Sequence, residues 1–87
     1  MLTPTKKQLT KIGFKRELIF SRVVYRLNGK CNDSIYYNYS LESTMYKWYY
    51  QTNIGEATNS VHLSMDSFPE LYAILRAFRF EYEFSVI

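Results

Sequence analysis

The sequence predicts an α+β domain of two layers, a four- to five-stranded antiparallel sheet with an N-terminal and a C-terminal helix on one face. Three observations carry this. Between residues 18 and 65 apolar and polar side chains alternate with a period of two, as half-buried strands require. Helix-start signals flank that region: Thr3 and Pro4 on one side, and on the other Ser67 with Glu70 three residues on. A composition of 47% hydrophobic residues with only 3 Gly and 2 Pro belongs to packed domains and not to disordered segments. With 87 residues the chain is read as one domain, 1–87; at that length only about 60–65% of the unfolded surface is buried, enough for one core and no more.

The opening TPTKKQLTKIGF reads as a short helix capped by Thr3, with Pro4 in the first turn and Gly13 as the left-handed residue past its end. Leu9 and Ile12 then face the core, Phe14 folds back toward Leu9, and Lys6, Lys7 and Lys11 face water. In IFSRVVYRLN, the set Ile19, Val23, Tyr25 and Leu27 alternates with Arg22, Val24 and Arg26. IYYNYSLE, MYKWYYQT and SVHLSM read as three further strands, the last preceded by a loop from Asn53 to Asn59. DSFPELYAILRAF is the clearest helix, with a Ser67/Glu70 capping box and a stripe of Phe68, Leu71, Leu75 and Phe78. The tail RFEYEFSVI alternates strictly and is read as a fifth strand; the helical spacing of Phe78 with Tyr82 and of Arg79 with Glu83 makes a longer last helix the rival.

Strand parity also sorts the aromatic residues crowded into IYYNYSLESTMYKWYYQ. Tyr37, Tyr39, Tyr46, Trp48 and Tyr50 fall on the apolar parity of their strands and are assigned to the core, which leaves Tyr36 and Tyr49 for the other face. That face otherwise carries Arg22, Arg26, Asn38, Ser40, Lys47, Gln51, His62 and Ser64, a polar and basic surface of the kind an antiparallel sheet turns to solvent.

Little in the chain points to catalysis or to a metal. One His and one Cys cannot supply the three or four convergent ligands of a metal site. Cys31 with His62 is the only thiol and imidazole pair, and no third group orients it. There is no phosphate-binding glycine loop, and Glu81 with Glu83 reads as a solvated strand face. The chain is therefore expected to be non-catalytic and to need no cofactor. No apolar run approaches the roughly 18–20 residues of a membrane span, MLTPTKKQLTKIG lacks an export core, and the lone Cys31 does not suit a disulfide framework. The expected address is the cytoplasm, with no membrane partner.

Charge is distributed unevenly. Residues 1–30 carry eight basic side chains against Glu17 alone, whereas the remainder is net acidic. Two kinds of partner follow from this surface. A protein, either another chain or a second copy of this one, would meet Arg22, Arg26, Tyr36, Lys47, Tyr49 and His62, because Tyr, Arg and open sheet edges are what interfaces use. The alternative is a nucleic acid stacked on Tyr36 and Tyr49, with its phosphates on Lys6, Lys7, Lys11, Lys15 and Arg16. The protein reading ranks first, since a sequence pI of about 9.0 is modest for a nucleic-acid binder and the RNA-recognition sheet signature is missing.

The succession of TPTKKQLTKIGFK, a Tyr-rich strand region and SFPELYAILRAF resembles that of short uncharacterised proteins of bacterial phages and mobile elements. The resemblance implies a cytoplasmic accessory protein that acts by binding and modulates a host protein, and it assigns no functional residue.

Overall fold

In a computed structural model, which describes residues 1–40, 47–55 and 57–81, the first helix, α1, spans Lys6–Ile12. Its cap is Thr5 and not Thr3: the Thr5 hydroxyl accepts from the Gln8 N–H at 3.1 Å, and the Gln8 side chain accepts from the Thr5 N–H at 2.9 Å. This reciprocal box satisfies two donors at once, which a Thr3 cap followed by Pro4 does not offer, and Pro4 is buried ahead of the helix. Gly13 ends it at φ 124°, and the Phe14 N–H reaches back to the Leu9 carbonyl at 3.0 Å. Phe14 is thereby turned into the core.

Five strands follow, β1 (Lys15–Ile19), β2 (Arg22–Asn28), β3 (Asp33–Asn38), β4 (Trp48–Ile54) and β5 (Ala57–Leu63), each antiparallel to the next in the order β1-β2-β3-β4-β5. Two boundaries differ from the sequence reading. IFSRVVYRLN is not one strand: Ile19 pairs with Arg22, and Phe20 and Ser21 form a two-residue turn with φ of 50° and 67°. Ile19 is thus turned to the same face as Arg22, and the fifth strand of the sheet precedes the other four. The expected loop from Asn53 to Asn59 is likewise a tight hairpin, with Ile54 paired to Ala57 and Gly55 at φ 60°.

The second helix, α2, spans Phe68–Ala77 and is capped by Ser67, whose hydroxyl accepts from the Glu70 N–H. The box is only half formed, because the Glu70 carboxylate accepts from the Asp66 N–H at 3.0 Å and not from Ser67. Leu71 and Leu75 are buried as expected; Tyr72 joins them, while Phe78 is 41% exposed and lies against Tyr50. Residues 79 and 80 close the helix and do not begin a strand. Arg79 takes φ 61°, and the Phe80 N–H bonds to the Leu75 carbonyl at 2.8 Å, which sends the Phe80 ring into the core. The rest of the expected tail strand, 82–87, lies outside the described residues, as do Tyr46 and Glu83.

The core joins Leu9 and Ile12 of α1, Leu71, Tyr72 and Leu75 of α2, and Tyr25, Leu27, Ile35, Tyr37 and Trp48 of the sheet. All the sheet members share one parity, so both helices pack on one face. Trp48 is fully buried, its ring edge-on to Phe14 and tilted on Tyr37, and its indole N–H donates to the Leu2 carbonyl at 3.1 Å. Leu2 is held a second time, through its N–H, by the Met65 carbonyl at 2.7 Å. At the end of the sheet the Tyr50 hydroxyl donates to the buried Asp33 carboxylate at 2.8 Å, and Gly29 packs against that carboxylate.

Candidate functional site

Because directly paired residues share a face, register places a continuous row across the side of the sheet away from both helices: Lys15, Arg26, Tyr36, Tyr49 and His62, one from each strand. Four of the six residues expected to make contacts therefore stand side by side. The Tyr36 and Tyr49 rings stack with centroids 4.7 Å apart and planes 9° from parallel, and His62 meets Tyr49 edge-on at 6.3 Å. Offset aromatic pairs of this kind are worth about 0.5–1.5 kcal/mol beyond the area they bury. Tyr36 is only 6% exposed although no described helix lies above it. Tyr49 and Arg26 pack on it, so Tyr36, expected as a contact residue, supports the row from within and offers little area of its own to a partner.

Arg26 fixes the other end of the stack. It donates to the Tyr36 hydroxyl at 3.3 Å, its guanidinium carbon sits 5.9 Å from the centre of that ring, and it pairs with Glu17 at 2.9 Å. The hydrogen bond to Tyr36 raises the Arg26 pKa, with the charge of Glu17 adding to it. Burial in the stack, followed by the neighbouring Tyr36 and Glu17, raises that of Tyr49. The row is thus neutral aromatic at its centre, cationic toward β1 and exposed at His62 on β5.

Arg22 and Lys47 stand apart from the row in different ways. Arg22 lies on the same face, paired with Ile19 at the β1–β2 turn, and has no carboxylate partner among the described residues. Lys47 precedes β4 and places its ammonium 5.4 Å from the centre of the Tyr37 ring, so it serves a core aromatic and not the open face. Of the residues assigned to the core, Tyr39 is 37% exposed and sits beneath the Lys6 ammonium at 5.1 Å.

The basic residues proposed for nucleic acid divide between two layers. Lys6, Lys7 and Lys11 belong to α1, on the helix side; Arg16, paired with Tyr25, has the parity of that side; only Lys15, opposite Arg26, joins the row. The thiol and imidazole do not meet either. Cys31 is in the β2–β3 loop, five residues along and two strands across from His62, which sheet spacings make on the order of 15–20 Å. Among the described residues no three or more His, Cys, Asp or Glu cluster as metal ligands.

Strand parity gave no hint of the apolar corner beside Arg22. Phe20 is 96% exposed at the turn, whereas Val24, on the open face, is 2% exposed. With Ile19, Arg22, Asn38 and Tyr49 these two line a shallow cavity of about 380 Å³. The Asn38 side-chain amide oxygen, Oδ1, is buried there and meets no hydrogen-bond donor among the described residues. No sequence signal marks this corner, since Phe20 and Ser21 lack turn chemistry.

The fold and the open face define the chain as a small α+β domain with a one-sided sheet. Comparison with protein-family models, with curated proteins and with solved structures returned no match to this chain.

Proposed function

We propose that the protein is a non-catalytic interaction module that binds another protein through the open face of its sheet. The observation that supports this is the pre-stacked row of Arg26, Tyr36, Tyr49 and His62 on a face that both helices leave uncovered. Rigid aromatic side chains and arginine contribute most per residue at protein interfaces, and a stack formed in advance loses little entropy when a partner docks. The resemblance of its two helical segments and Tyr-rich strand region to short uncharacterised phage and mobile-element proteins, together with the lone cysteine, supports the finer reading of a cytoplasmic accessory protein acting on a host protein.

A photo-crosslinking amino acid placed at His62, with a second protein carrying it at Lys7 on the helix side, tests the assignment in cells. Protein adducts from position 62 and none from position 7 are expected. Adducts from position 7 alone would overturn the assignment to the sheet face. Micromolar binding of labelled DNA or RNA that weakens steeply with salt would overturn the choice of partner in favour of nucleic acid.

A further inference from the structure

The cavity at the β1–β2 turn has a composition that the row does not share. Ile19, Phe20, Val24 and the flank of Tyr49 make apolar walls, Arg22 supplies a cation, and Asn38 supplies a buried acceptor. A buried amide oxygen without a donor costs roughly 1–3 kcal/mol, so such a group is completed by water, an ion or a ligand, and here it faces a cavity large enough for any of them. Phe20 adds a second anomaly. A bulky side chain at φ 50° is strained, and this one is almost wholly in solvent, so the fold gains no packing from it.

We infer that this cavity is the anchor site of the interface and that it takes an acidic, extended peptide segment bearing one aromatic or large aliphatic side chain. This rests on the reading of the open face as the contact surface. The side chain fills the space between Ile19, Val24 and Tyr49 with Phe20 folding over it; a backbone N–H of the segment donates to Asn38; a carboxylate beside the anchor meets Arg22. The preference for acidic flanks comes from charge complementarity. Among the described residues of this face, Lys15, Arg22 and Arg26 stand against Glu17 alone, and Glu17 is already paired with Arg26.

The test is a titration of ¹⁵N-labelled protein, followed by NMR, with an acidic heptapeptide of Glu and Asp around a central Phe. Two controls accompany it, one with the Phe replaced by Ser and one with the acidic residues replaced by Lys. Shifts centred on the amides of Arg22, Val24, Asn38 and Tyr49 are expected for the first peptide, with at least tenfold weaker binding of both controls. R22E is expected to weaken the first peptide at least tenfold and R22Q less, each keeping the dispersed spectrum of the folded protein. N38L is expected to weaken it severalfold without loss of stability, because it removes an acceptor that no donor among the described residues meets. No shifts, shifts centred on α1, or equal binding of the Lys peptide would overturn the inference. The crosslinking at position 62 reports on the wider face independently of this cavity, so an empty cavity with adducts at 62 removes the anchor site and leaves the interaction face standing.

Discussion

Of the three glycines, Gly29 is the one at which an added methyl group meets the closest atoms. A Cβ there would overlap the Asp33 carboxylate and come to 3.0 Å from the Phe80 ring. It is the space that demands glycine here, since Gly29 is not among the residues at positive φ. In G29A the carboxylate must turn away, which breaks its bond from the Tyr50 hydroxyl at 2.8 Å and its weaker one from the Cys31 N–H at 3.4 Å. A hydrogen bond to a charged group contributes about 1.5–3 kcal/mol, and crowding Phe80 adds about 1–3 kcal/mol. The lost chain entropy of the unfolded state returns about 0.4–1 kcal/mol. The net cost is about 2–5 kcal/mol, and for 87 residues that corresponds to a fall in Tm of roughly 11–27 °C. Thermal melts followed by circular dichroism measure it. The decisive comparison is the same substitution in a D33A background, where the clashing carboxylate is gone and the hydrogen-bond part of the cost, about 1.5–3 kcal/mol, should vanish while the crowding of Phe80 remains. A fall in Tm of less than about 3 °C for G29A alone, or strict additivity with D33A, would refute the reasoning.

Burial, reinforced by the Asp33 hydrogen bond and charge, pushes the Tyr50 phenol up to about 12 from its ordinary 10.0. The protonated form is the one the fold favours, so this contribution is complete below about pH 10 and is lost between about pH 10 and 12 as the unfolded state ionises first; urea titrations across that range should show a steeper alkaline fall for wild type than for Y50F. Replacing the strained turn by Asn-Gly (F20N with S21G) suits two residues at positive φ and should stabilise by about 1 kcal/mol in the same assay, while weakening the acidic peptide severalfold. W48F loses the indole bond to Leu2 and part of a fully buried ring; a cost of about 2–4 kcal/mol with an unchanged denaturant m-value is expected. E17Q frees Arg26 from a half-exposed pair and should change stability by less than about 1 kcal/mol, read from the same urea curves.

Much of this was legible because strand parity is a local property. Once residues 22–28, 35–38 and 48–51 alternate, Tyr25, Tyr37 and Trp48 must share a face and Arg26, Tyr36 and Tyr49 the opposite one, whatever the loop lengths. The row follows from that pattern and from consecutive strands pairing as neighbours. The β1–β2 hairpin is hidden because Phe20 and Ser21 carry none of the Asn or Gly chemistry that marks a two-residue turn, so the alternation runs through it unbroken and puts Ile19 on the wrong face. Lys47 fails for a related reason: parity applies inside a strand, and one residue before β4 the side chain is free to seek the Tyr37 ring. At Arg79 the fold overrides local preference, since burying Phe80 compensates a left-handed residue that carries a Cβ.

The double anchorage of Leu2, on Trp48 and on Met65, has a consequence for the time course of folding. Every pairing in the sheet joins strands that are neighbours in sequence, and such hairpins close quickly, one upon the next. The N-terminal segment has no stable seat until the fourth and fifth strands are in place, more than sixty residues behind it on the ribosome. Until then the underside of the growing sheet is uncovered. This segment is thus made before its seat and is among the last to dock, and its amide protons should be among the first to exchange when the native protein opens.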